Sequence, residues 1–122
     1  METIKTTTLV LIMVMVQLLC FSGISNAFDQ AHLNKLLTSM DCSGCDLSNA
    51  DLVNMDLSNM NLSNANLSGA NLKGTNFWEA NLSGANLSGA RLSNTNFTGA
   101  NLSNATWVDG KKCKTGSRGK CN

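Results

Sequence analysis

The chain has 122 residues, a formal net charge of +1 and only 14% charged residues. A chain of this length is expected to form one domain. Its near-neutral charge gives no overall attraction to nucleic acid or to an anionic membrane. Asn, Ser, Leu, Gly and Ala dominate while Pro and Tyr are absent, and so simple a composition indicates a repeat.

Residues 1–27 have the layout of a secretory signal peptide. Residues 9–20 are apolar except for Gln17, and residues 25–27 (SNA) put small side chains where a signal peptidase reads. A membrane anchor is the alternative, but a spanning helix needs ~20 apolar residues, and this run falls short of that length. We therefore expect export with cleavage after residue 27 and no membrane span in the mature chain.

The next segment, residues 28–39 (FDQAHLNKLLTS), predicts a short amphipathic helix. We expect it to cap the segment that follows. The apolar residues expected to make this contact are Phe28, Ala31, Leu36, Leu37 and Met40.

Residues 45–104 repeat every five positions. The twelve consecutive units run from CDLSN to ANLSN, each with Leu or Phe at its third position, and MDCSG (40–44) and ATWVD (105–109) fit as worn units at the ends. A period of five fits neither a helix, which repeats near 3.6 residues, nor a strand, which repeats every 2. Gly or Asn at nearly every fifth position marks a turn in each unit. Successive corners should therefore wind the chain into a coil whose central Leu or Phe points inward.

This repeat resembles that of the pentapeptide-repeat family, whose pattern is A(D/N)LXX, over residues 40–109. The resemblance implies an all-β fold, a right-handed quadrilateral β-helix with four units per coil. The short capping helix would precede it, and a basic tail that contains two cysteines, residues 110–122, would follow it.

Four units per coil would stack residue n on residue n+20. One corner then stacks Leu57, Phe77 and Phe97 inside the coil, an arrangement that favours aromatic contact. Thr75 and Thr95 would stack beside them and point inward as well.

Four cysteines follow residue 27, an even number that favours disulfides in a small exported chain. Cys42 and Cys45 occupy the first and fourth places of one turn, whose Cα atoms lie within ~7 Å, and a disulfide accepts ~4.4–6.8 Å. Cys113 and Cys121 lie beyond the repeat at the opposite end. We therefore predict the pairs Cys42–Cys45 and Cys113–Cys121. The two ends of the stack also separate the pairs too far for one zinc site in a monomer.

The sequence predicts no catalytic residue, cofactor or metal ligand. The single histidine, His32, lies in the capping helix with no accompanying ligand or catalytic motif. A ring of carboxylates occupies the place that Asn takes in most later units: Asp41, Asp46, Asp51 and Asp56. With four units per coil these lie on four different sides, which is more typical of a solvated surface than of a calcium site.

Two features are candidate contact sites. Trp78 follows a central residue and should point outward, with Ser58 and Thr98 on either side of it along the stack. The tail has a net charge of +5 from Lys111, Lys112, Lys114, Arg118 and Lys120. It is expected either to contact an anionic partner or to be a solvated charge run.

Together these features predict a small exported bacterial member of the family, periplasmic or secreted, that is not an enzyme. It would act as a rigid binding or structural module for an unknown protein or an anionic envelope component. A homodimer through an end of the stack is a further candidate, and nucleic acid is not an expected partner. One alternative is a DNA-mimicking protein that interacts with gyrase, as some family members do, although that role needs a long acidic rod in the cytoplasm. The other is an envelope redox protein that uses Cys42 and Cys45, although a thioredoxin-like motif needs a βαβ context.

Overall fold

The computed structural model describes residues 29–122, so the predicted signal peptide and its cleavage site lie outside the described residues. The described chain begins with a nine-residue helix, α1 (Gln30–Thr38). Asp29 caps its N-terminus, because the carboxylate accepts a hydrogen bond from the Ala31 N–H at 2.9 Å. Within residues 29–122 no helix is long and apolar enough to cross a membrane.

Helix α1 packs on the first turn of the coil through Leu33 and Leu36, which are buried, and Leu37, which is partly buried. Ala31 and Met40, expected in this contact, are exposed, and Phe28, also expected there, lies outside the described residues. The helical period explains the difference, since positions 33, 36 and 37 share one face while position 31 lies on the opposite face. Met40 lies beyond the end of the helix.

From residue 41 the chain forms a coil that returns to the same side after 20 residues. Ten isolated parallel bridges join residues 20 apart, from Asp41↔Asn61 to Asn86↔Thr106. The hydrogen bonds of this ladder are regular: the Leu62 N–H donates to the carbonyl of Asn81 at 2.8 Å. Four five-residue units therefore complete each turn of the coil. Within residues 29–122 no strand is longer than a single bridge.

The coil has four sides, which we name by the bridge residues of its first turn. They are the 41 side (41, 61, 81, 101), the 46 side (46, 66, 86, 106), the 51 side (51, 71, 91) and the 56 side (56, 76, 96). Sides 41 and 51 face opposite directions, as do sides 46 and 56, because each pair is separated by half a turn.

The interior is filled by the central residues of the units and by the residues two places before them. Leu62 and Leu82 are fully buried, as are most of the alanines at the small positions. Phe77 stacks on Phe97 with 5.3 Å between ring centroids and 11° between ring planes. Thr75 also points inward and is fully buried; its hydroxyl donates to the carbonyl of Leu52 at 2.8 Å, so no unpaired polar group is left there.

Each corner of the coil depends on a residue in the left-handed region. The fifth residue of every unit from Gly44 to Asn104 has φ between 55° and 73°. Glycine adopts this conformation freely, and asparagine does so more readily than other residues with a side chain. The Gly or Asn at the end of each unit is therefore a requirement of the turn. Glu79, with φ of 55°, is the exception.

The Asp or Asn that precedes each centre ties the turn together. The Asp41 carboxylate accepts a hydrogen bond from the Ser43 N–H at 3.0 Å, and the Asn81 side-chain oxygen accepts one from the Ser83 N–H at 3.2 Å. These side chains also bond along the stack, where the Asn61 amide donates to Asp41 Oδ1 at 3.0 Å. The carboxylate ring therefore has a structural role in the first turn.

Residues 110–122 fold back over the last turn of the coil. Two antiparallel bridges, Asn101↔Arg118 and Thr106↔Lys112, attach this tail to the 41 and 46 sides. Leu102 lies in the last turn of the coil, so no further turn offers its N–H a carbonyl. The N–H donates instead to the carbonyl of Ser117 at 2.9 Å. The tail thus covers half of an end that would otherwise present unpaired backbone groups.

Candidate functional site

Trp78 lies on the outer surface of the 56 side and is 46% exposed. Its backbone N–H donates to Asn76 Oδ1 at 3.2 Å, in the same turn geometry as other units. The preceding residue, Phe77, is fully buried, which places the indole outside the wall. The ladder of bridges on this side puts Ser58 one turn before Trp78 and Thr98 one turn after it.

Glu79, which the sequence analysis did not single out, connects this wall to the tail. Its carboxylate lies 3.6 Å from Arg118 Nη1, and the same Arg118 nitrogen donates to the carbonyl of Gly99 at 3.4 Å. The sequence contains a signal for this residue, since Glu79 stands where other units up to residue 104 have Gly or Asn. Glu79 adopts the left-handed backbone conformation although it is neither Gly nor Asn, so its unit departs locally from the repeat pattern.

The five cationic residues of the tail are all exposed, and the structure gives them different surroundings. Arg118 pairs with Glu79, Lys111 lies 3.5 Å from Asp109, and Lys112 Nζ donates to the carbonyl of Asn104 at 3.3 Å. The structure therefore brings Arg118 beside the wall that carries Trp78. The remaining two, Lys114 and Lys120, are exposed residues of the tail.

The two cysteine pairs lie at disulfide-bond distance. The sulfur atoms of Cys42 and Cys45 are 2.06 Å apart with 5.3 Å between Cα atoms, and those of Cys113 and Cys121 are 2.08 Å apart with 4.9 Å between Cα atoms. Cys42 and Cys45 are buried in the first turn of the coil at 0% and 1% exposure. Such burial limits attack on this pair by an external thiol.

His32 joins α1 to the coil. Its Nδ1 accepts a hydrogen bond from the Asp46 N–H at 3.0 Å and lies 3.7 Å from the Asp29 carboxylate. Within residues 29–122 no group of three or more His, Cys, Asp or Glu side chains is arranged to hold a metal ion.

A pocket of about 280 Å³ opens at the N-terminal end of the coil, between the end of α1 and the 56 side. Its apolar lining comes from Leu36, Leu37, Met55 and Met60, with Met40 at the edge, and Asp56 is its charged residue. The repeat pattern does not reveal this pocket, because the pocket depends on how α1 ends above the first turn.

A comparison with family models matches the chain to pentapeptide repeats in eight copies, over residues 41–78 and 79–106. The match covers every parallel bridge of the coil and stops before the tail. Among curated proteins, no significant match is found.

Several solved structures are similar to this chain. A pentapeptide repeat protein from the thylakoid lumen of Arabidopsis thaliana is 32% identical, with a TM-score of 0.57, over 72% of this chain and 57% of that protein. HetL from Nostoc sp. strain PCC 7120, a pentapeptide repeat protein involved in regulation of heterocyst differentiation, is 32% identical, with a TM-score of 0.41, over 59% of this chain and 40% of HetL. Rfr23 from Cyanothece 51142 is 25% identical, with a TM-score of 0.39, over 69% of this chain and 90% of Rfr23. The chain thus spans little more than half of the Arabidopsis protein and less than half of HetL.

Proposed function

This chain belongs to the pentapeptide-repeat family, and on that premise we propose that it is a non-enzymatic module that binds a partner through a rigid outer wall. Proteins of this family are in general structural or binding proteins rather than enzymes. We take the coil to be the right-handed quadrilateral β-helix that the family implies. The bridges between residues 20 apart support this architecture.

The exposure of Trp78 on a regular wall carries the proposal. The aromatic stack of Phe77 on Phe97 and the ladder bonds of Asn76 fix the backbone beneath the indole. A rigid aromatic side chain loses little conformational freedom on binding, which is why Trp is enriched among residues that dominate binding energy. The hydroxyls of Ser58 and Thr98 offer polar contacts on either side, and the cationic tail reaches the same wall at Arg118.

The partner that suits this surface is a protein or an anionic component of the envelope. Trp78 supplies an apolar anchor, while Lys111, Lys112, Lys114 and Lys120 supply positive charge at one end of the molecule. A partner with an apolar patch next to acidic groups would use both features.

Trp78→Ala tests this proposal against a matched control. Val53 occupies the equivalent place in its own unit and is 37% exposed on the 51 side. In affinity capture from an envelope extract, a partner of the Trp78 wall should be retained by wild type and by Val53→Ser and lost with Trp78→Ala. A capture profile that Trp78→Ala leaves unchanged would contradict the proposal, provided that thermal melts show the variant to be folded.

We also propose that the protein is exported and that both cysteine pairs are oxidised. The apolar run at residues 9–20 and the small residues at 25–27 support export, and the separations within the cysteine pairs suit disulfides. The protein recovered from cells should begin at or near Phe28, and non-reducing peptide mapping should find Cys42–Cys45 and Cys113–Cys121. An intact Met1 in the cytosol, or four free thiols, would overturn this part of the proposal.

The two alternative functions receive less support from the described residues. A DNA mimic needs an extended acidic surface, whereas residues 61–122 of this chain have more cations than acids. A redox function needs an accessible sulfur, whereas Cys42 and Cys45 are buried beneath α1. A gyrase supercoiling assay and an insulin-reduction assay, both expected to be negative, test the alternatives directly.

A further inference from the structure

Charge is segregated along the axis of the coil. Residues 29–60 carry five aspartates and one lysine, for a net charge of −4 with His32 neutral. Residues 61–90 carry one lysine and one glutamate and are neutral, and residues 91–122 carry six cations and one aspartate, for a net charge of +5. The N-terminal end of the stack is therefore acidic and the C-terminal end is basic.

Both ends leave backbone groups unpaired, and they do so on the same two sides. At the N-terminal end α1 pairs with the 46 side. The carbonyl of Asp46 accepts a hydrogen bond from the Asp29 N–H, and the Asp46 N–H donates to His32 Nδ1. The backbone N–H and C=O groups of Asp51 and Asp56 have no partner within residues 29–122. At the C-terminal end the tail pairs with the 41 and 46 sides. There the N–H groups of Leu92 and Phe97 are unpaired within the described chain.

We propose that copies of this protein associate head to tail, the acidic N-terminal end of one copy meeting the basic C-terminal end of the next. A symmetric pairing of like ends would bring −4 against −4 or +5 against +5, which is unfavourable. A head-to-tail contact is heterologous, so it extends into a filament unless its rotation closes a ring. This proposal concerns the ends of the stack and does not depend on the Trp78 wall.

A half-turn between neighbouring copies makes the two ends fit. Without it α1 of one copy would meet the tail of the other and hold the open edges apart. With it the 51 and 56 sides of the upper copy rest on the tail of the lower copy, so that Asp51 and Asp56 face its lysines. Helix α1, which bonds to the 46 side, then lies over the open 56 side of the lower copy.

The pocket at the acidic end also suits the basic tail. It has an apolar lining formed by Leu36, Met55 and Met60 and one carboxylate, that of Asp56. A lysine presents the complementary chemistry, an apolar stem and a charged tip. In this association the pocket would receive an exposed lysine of the second copy, Lys114 or Lys120.

Two double variants each remove two charges from one end with little effect on the fold, so that the net charge of −4 becomes −2 at the acidic end, or +5 becomes +3 at the basic end. Asp51→Asn/Asp56→Asn places at the acidic end the residue that the chain itself uses 20 positions later, at Asn71 and Asn76. Lys114→Gln/Lys120→Gln neutralises exposed side chains of the basic end. Lys73→Gln, on the middle of the 51 side, is the control.

Sedimentation velocity of the purified, disulfide-bonded protein tests the proposal. Wild type should associate in about 10 mM salt, where the screening length is ~30 Å, and dissociate towards about 150 mM, where it is ~8 Å. Each double variant alone should associate about tenfold more weakly, whereas Lys73→Gln and Trp78→Ala should match wild type.

An equimolar mixture of the two double variants gives the sharper result. The intact basic end of one variant meets the intact acidic end of the other, so the mixture should form a 1:1 dimer and stop there. Three results would overturn the proposal: a wild type that stays monomeric at low salt, a dimer strengthened by removing charge from one end, or a mixture no more associated than its components.

Discussion

The fifth residue of each unit has a positive φ, and this conformation restricts which residue can stand 20 positions later, in the next turn of the coil. Asn49, Asn54 and Asn64 have positive φ, and each has a glycine 20 residues later. A Cβ atom built on Gly84 would overlap the side-chain oxygen of Asn64. The asparagine side chain therefore leans onto the next turn of the coil and occupies the space above it, so that glycine at the later position is required twice, for its φ and for this space.

Gly84→Ala and Gly89→Ala separate these two requirements. Gly89 has φ of 70° and ample room, with the Gly69 nitrogen 3.9 Å from a built Cβ. Gly89→Ala should cost only the left-handed conformation, about 1–2 kcal/mol. Gly84→Ala should cost more in chemical denaturation, because the Asn64 amide must move, and Asn64→Gly in the same chain should remove the excess. Equal costs for the two alanine variants would show that the Asn64 contact is absent in solution.

The aspartates of the first turn predict acid sensitivity. Hydrogen bonds from the Ser43 backbone N–H hold the pKa of Asp41 below its ordinary value, and bonds from the Ser58 hydroxyl and N–H do the same for the pKa of Asp56. A carboxylate whose pKa is lowered by folding stabilises the fold above its unfolded pKa of ~3.9, and this stabilisation is lost as pH falls through the lower folded pKa.

Thermal melts should therefore show a Tm that is flat above about pH 5 and falls below about pH 4. Asp41→Asn/Asp56→Asn should flatten this acid limb, the fall in Tm at low pH. The amide oxygen keeps the hydrogen bond of the turn and does not titrate. Asp46 and Asp109, whose pKa values are also lowered by hydrogen bonds from Ser48 and from the Lys111 N–H, account for the limb that remains. An acid limb identical in the variant and wild type would rule out this origin.

At the scale of the element, the coil depends on which side of the wall each residue occupies. Leu82 is fully buried between the turns above and below it, while Ser83 lies at the surface. Leu82→Asp would bury a carboxylate with no partner and should abolish folding. Ser83→Asp should change the free energy of unfolding by well under ~1 kcal/mol. Circular dichroism melts compare the two, and similar stability would contradict the placement of the residues.

The sequence predicts the coil well because its period is a property of the chain itself. Twelve units without a slip fix which residues point inward, and the structure places Phe77 and Thr75 inside and Trp78 outside. The end structures are harder to predict. The tail has no repeat, and its bond to the wall through Glu79 depends on where Arg118 lies after a fold-back. The pocket beside α1 likewise follows from tertiary packing, which a short amphipathic pattern does not specify.

At the scale of the whole molecule, the protein is a short stack whose walls are regular and whose ends differ. The walls come from one repeated hydrogen-bond pattern, so a side chain such as Trp78 has a fixed position on them. The ends are covered by α1 and by the tail on only part of their circumference. Binding through the walls and association through the ends are therefore separable properties of one molecule.

Side chains 20 residues apart lie one above the other on a rigid wall, separated by one strand spacing of ~4.8 Å. Spin labels at Ser63→Cys and Ser83→Cys, both on the 41 side, test this placement by electron paramagnetic resonance, with Ser63→Cys and Lys73→Cys on opposite sides as the matched pair. We expect strong dipolar broadening for labels at 63 and 83 and none for labels at 63 and 73, although the second pair is closer in sequence. Broadening that is equal in the two pairs, or stronger for 63 and 73, would contradict the 20-residue turn of the coil.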